Sequence, residues 1–78
     1  MARVREAQAC LQAIRPLLPA GMRASVQAGP VEEASWCLLA EGSATASKLR
    51  QMAPMLLAHL RSRGFSIEAL RIKVRGRN

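Results

Sequence analysis

The last ten residues, "ALRIKVRGRN", place a basic side chain at every second position: Arg71, Lys73, Arg75 and Arg77. On an extended chain alternate residues leave from one side, about 6.6–7 Å apart. That interval is close to the phosphate spacing of an extended single nucleic-acid strand, roughly 7 Å. Such a row would hold a phosphate backbone by charge. Arg61 and Arg63, in "HLRSRGF", lie near enough in sequence to extend the same patch, and Lys48 and Arg50 offer secondary basic contacts. Binding of this kind is driven by phosphates, weakly selective for sequence and strongly dependent on salt. The same charges have a second use, since Lys and Arg on an edge strand discourage sheet-to-sheet aggregation.

Catalytic chemistry finds no matching set. An enzyme needs an arranged acid, base, nucleophile or metal, and this chain has one histidine, His59, with five scattered glutamates and no aspartate. His59 falls near the polar side of its helical wheel. Cys10 and Cys37 match no zinc spacing and have no histidine near them in sequence. They read as two reduced, partly buried thiols; a disulfide between them would need Cα atoms within roughly 7 Å. No phosphate-cradling glycine loop is present. The chain is expected to be non-enzymatic and without a cofactor.

Charge points the same way as the motif. Residues 1–42 carry four arginines against four glutamates, whereas residues 43–78 carry eight basic groups against Glu68, so the second half holds the whole excess of +7. A one-sided positive field attracts polyanions. There is no tyrosine, and Trp36 and Phe65 read as core, so no platform for base stacking is visible. The opening residues, with Arg3, Arg5 and Glu6, do not resemble a secretory signal. No apolar run approaches the ~20 residues of a membrane helix. A cytoplasmic protein with no membrane association is the expectation.

These groups need a scaffold, and 78 residues supply a single domain with a small stability margin. A second copy or a larger partner would add buried area. Val4, Ala7, Leu11, Ile14 and Leu18 recur at helical intervals and predict a helix over 3–15, closed before Pro16. "MRASVQA" alternates and predicts a strand over 22–28; "GPVEE" reads as the turn, and "SWCLLA" as a strand over 35–40 with Trp36, Leu38 and Ala40 inward. Leu49, Ala53, Leu56 and Leu60 form the core stripe of a helix over 43–63, started by Ser43 or Thr45 as cap and bent near Pro54. Gly64 suits its left-handed end, with Phe65 folding back on Leu60. Leu70, Ile72 and Val74 are the apolar side of a strand over 69–75. The order is α-β-β-α-β: an α+β fold whose three-stranded sheet packs on helices along one side. Met52 reads as core filler, and Met55, on the outer side, as a candidate protein contact.

The pattern of "LPAGMRASVQAG", "SWCLLAEGSATASKLRQMAPMLLAHLRSRGFSIEALRIKV" resembles the bacterial DciA family over residues 18–75. Leu49, Arg50, Pro54, Leu56, Leu57, Leu60, Gly64, Leu70, Arg71, Ile72 and Val74 carry the likeness. It implies a K-homology-like fold and a role in bacterial DNA replication, with association to a DnaB-type replicative helicase, promotion of its loading, and binding of single-stranded DNA. The chain contains no GxxG, the loop with which K-homology domains clamp RNA, so that activity is not expected. The other reading of the same residues is a protein-interaction or dimerisation module whose charge serves solubility.

Overall fold

A computed structural model describes residues 2–75. Helix α1 spans Val4–Ile14 and helix α2 spans Ser43–Ser62; strands β2 (Val26–Glu32), β3 (Ser35–Ala40) and β4 (Ala69–Val74) form a mixed three-stranded sheet. A two-residue strand β1 (Ala2–Arg3) extends this sheet alongside β2. The order is β1-β2-β3-β4, with β2 antiparallel to β3 and β4 parallel to it. The architecture is the expected α+β arrangement. A parallel neighbour cannot be reached by a tight turn, so α2 serves as the crossover between β3 and β4.

Both helices cover one face of the sheet, α1 over β2 and α2 over β4 and β3. Ala7, Cys10 and Ile14 from α1 meet Ala46, Leu49, Leu56 and Leu60 from α2 above Val26, Val31, Trp36, Leu38 and Ala40. The core is aliphatic apart from Trp36, which is fully buried. The stripe read from α2 is the one that is buried, with Ala53, Met52 and Leu57 partly so.

The first strand departs from the sequence reading. Residues 20–25 form a 3-10 helix, and β2 begins only at Val26 and runs through Gly29-Pro30 to Glu32. The hairpin turn is Glu33-Ala34, and not "GPVEE" as a whole. The reason lies in residue type: Val26 and Val31 are the β-branched residues of this stretch, and both belong to the strand, whereas Met22 and Ala24 carry weaker strand preference. Holding both valines inward requires one extra residue between them. The register changes between Ala28 and Val31, so Gly29 and Pro30 together face Cys37 in a β-bulge. A bulge also tolerates Pro30, which has no N–H to give a ladder. Its inward carbonyl is used: the Trp36 indole N–H donates to Gly29 O at 2.9 Å.

Helix α2 runs without a break through Pro54. Its N-cap is Gly42, with no side-chain capping bond, so neither Ser43 nor Thr45 acts as the cap. Its C-terminus closes as read. Gly64 has φ +92°, its amide donates to Arg61 O at 3.1 Å, and the Phe65 amide donates to Leu60 O at 3.0 Å. This is the Schellman pattern, which satisfies carbonyls otherwise left open at a helix end.

His59 ties the helices together, with Nε2 at 3.1 Å from the Ala13 carbonyl in the last turn of α1. That carbonyl is one of the four that a helix leaves without an internal partner. His59→Ala should cost about 1 kcal/mol, a melting-temperature drop of roughly 4–8 °C for a domain this size. Thermal unfolding followed by circular dichroism checks it, and an unchanged midpoint would mean water satisfies Ala13 equally well.

Candidate nucleic-acid interface

Among the described residues no helix lies on the sheet's other face, and the residues of β4 divide between the two sides. Leu70 and Ile72 are half-buried toward the helices, while Arg71 and Lys73 are exposed on the open side. The parallel register sets Arg71 beside Cys37 and Lys73 beside Leu39. Neither cation makes a side-chain hydrogen bond or ion pair among the described residues. Arg75, just past the strand, reaches across to β2, where its guanidinium donates to Gln27 Oε1. A guanidinium has five donors, so the bond to Gln27 leaves others for a ligand.

Beside this row lies an open groove of about 700 Å³. Pro30, Cys37 and Leu39 form its floor, Arg71 and Lys73 one wall, and Glu32 and Glu33 its hairpin end. The face is therefore graded: cationic along β4 and acidic at the turn. Sequence reading missed Glu32 and Glu33 because it placed the turn too early, and missed the pairing of Gln27 with Arg75 because sheet order alone brings them together. With the turn at residues 33–34, strand alternation puts Glu32 on the open side. Removing that carboxylate should strengthen attraction of a polyanion to the row, since charges within about 10 Å are only partly screened at 0.1 M salt. Glu32→Gln is expected to tighten binding of a single-stranded oligonucleotide about two- to threefold at low salt. Fluorescence anisotropy reads this, and equal affinity would show that the carboxylate exerts no field on the row.

The remaining cations belong elsewhere. Arg61, in the last turn of α2, and Arg63, its C-cap, are exposed in the helical layer. A parallel crossover puts its helix on one face, and an outward-facing residue of the following strand lies on the other. Lys48 and Arg50, near the start of α2, are exposed in the same helical layer. Arg77 lies outside the described residues.

The cysteines also separate: Cys10 is buried beneath α1 and Cys37 is half-buried on the open face, and no disulfide joins them. Trp36 is fully buried and Phe65 packs against the core, so neither presents a ring on the open face. Among the described residues no group of three or more potential metal ligands occurs. None of the described helices is long and apolar enough to cross a membrane. Comparison with known protein families and with curated proteins finds no match for this chain.

Proposed function

We propose that this chain is a non-catalytic accessory module of bacterial DNA replication, resembling the DciA family, which holds single-stranded DNA along β4 and engages a DnaB-type replicative helicase. The observation that carries the DNA part is the pair Arg71 and Lys73, exposed together on an open sheet face without internal partners. Arg75 continues the row. The net charge of +7, all of it from residues 43–78, supplies the long-range attraction. With no aromatic ring on that face, binding rests on phosphates, and salt weakens it steeply. Lys48, Arg50, Arg61 and Arg63 add to the general field from the helical layer.

An anisotropy titration with a labelled oligothymidylate at two salt concentrations tests the DNA part; absence of binding at low salt removes it. Pull-down of the replicative helicase with nuclease present tests the protein part, because capture that survives nuclease requires direct contact. The protein-interaction reading keeps one observation in its favour. Met55 and Val74 are large apolar residues left 49% and 45% exposed.

A further inference from the structure

The sheet has an unpaired edge. β4 is last in the order, and no strand lies beyond it among the described residues. The amides of Ala69 and Arg75 point inward, donating to the carbonyls of Ala34 and Ala40. Backbone groups alternate along a strand, so Arg71 and Lys73 also bond inward, and the N–H and C=O groups of Leu70, Ile72 and Val74 point away from β3. No backbone hydrogen bond among the described residues reaches these outward groups. Three donor–acceptor pairs thus line one edge. Along it the upper side is basic, through Arg71 and Lys73, and the lower side is aliphatic, through Leu70, Ile72 and Val74.

We infer that this edge takes an extended protein segment alternating carboxylate and aliphatic side chains, added to the sheet as a further strand. Strand addition satisfies the open backbone groups, and side chains on alternate positions give selectivity. Carboxylates on the upper side fall beside Arg71 and Lys73 with the same two-residue spacing. Aliphatic groups on the lower side cover Val74, which is 45% exposed. A second copy of this chain fits poorly: pairing β4 with β4 sets basic rows against each other, between molecules that each carry +7. A polynucleotide has no amide ladder to pair with the edge. The inference goes beyond the DNA reading: it shares Arg71 and Lys73 with that reading but adds the backbone edge, which a phosphate chain does not use, so the two can fail separately.

The test titrates the ¹⁵N-labelled full chain with a synthetic peptide of alternating Glu and Val. A peptide of equal charge interrupted by prolines and an oligothymidylate are run in parallel. The expected result is binding of the alternating peptide, with shifts and slowed hydrogen exchange at the amides of Leu70, Ile72 and Val74. The proline-interrupted peptide should not bind. Val74→Pro removes an outward N–H and no bond to β3, so it should weaken peptide binding about tenfold or more while oligothymidylate binding stays unchanged. Amide mapping on the unmodified chain decides the matter even if that variant folds poorly. Three results would overturn the inference: no peptide binding, equal binding of the proline-interrupted peptide, or peptide-induced shifts confined to Arg71 and Lys73 side chains. A peptide-free dimer in sedimentation, dissociated by Val74→Pro, would overturn it in favour of self-pairing.

Discussion

Gly29→Ala should lower the melting temperature by about 12–24 °C, a large loss for a single methyl group. A Cβ at this position would stand 2.7 Å from the Cys37 carbonyl oxygen and 3.1 Å from the Cys37 Cβ. Neither neighbour can swing aside, since one is backbone and the other is the first atom of its side chain. Strand β2 must therefore lift from β3 at the bulge. The Gly29 carbonyl moves with it, and the Trp36 indole N–H loses its acceptor in a site with no water access. Overpacking costs about 1–3 kcal/mol, and an unpaired buried donor costs about 1–3 kcal/mol more. Together these span about 2–6 kcal/mol, and a value of about 3 kcal/mol within that range gives the stated shift, against a total stability on the order of 4–12 kcal/mol for a chain of this length. Trp36 is the single tryptophan, so its fluorescence reports the bulge directly. Trp36→Phe removes the donor without the clash and should cost less than Gly29→Ala. The opposite ranking, or an unchanged midpoint for Gly29→Ala, would contradict the close approach at the bulge.

Replacing Arg71 and Lys73 together by Ala should weaken oligothymidylate binding about tenfold at low salt and lower the salt slope by about 1.4, the contribution of two single-strand phosphate contacts. The slope is the more telling quantity, because it counts contacts rather than stability. Both side chains are exposed on the open face, so the variant should melt within about 0.5 kcal/mol of the parent, as surface substitutions do. Arg61→Ala with Arg63→Ala removes the same charge from the helical layer. That pair should reduce affinity only through the general field, about two- to threefold, leaving the slope nearly as it was. Equal losses from the two pairs would mean that net charge alone drives binding and that β4 is no special site.

Much of the scaffold was legible before any coordinates. Helix α2 announced itself through Leu49, Leu56 and Leu60 at helical spacing and through Gly64 at its end. Strand β3 announced itself through Trp36, Leu38 and Ala40 at a period of two. These signals are local, set by backbone geometry and by the need to put apolar groups on one side. The first strand was misplaced by four residues at its start because alternation in "MRASVQA" imitates a strand. Nothing local tells that Gly29-Pro30 will sit opposite Cys37 instead of turning the chain. The bulge exists because Val26 and Val31 both have to reach a core that other segments build.

The sequence by itself determined which residues are cationic, that Arg71 and Lys73 share one side of a strand, and that the helices need a sheet to cover. Tertiary structure alone decided how those charges are grouped. A crossover helix puts Arg61 and Arg63 in one layer and leaves Arg71 and Lys73 in the other, and the hairpin register brings Glu32 and Glu33 to the end of the basic row. Local periodicity fixes a side chain's direction relative to its own backbone. Which groups then become neighbours depends on strand order and register, which only long-range packing sets.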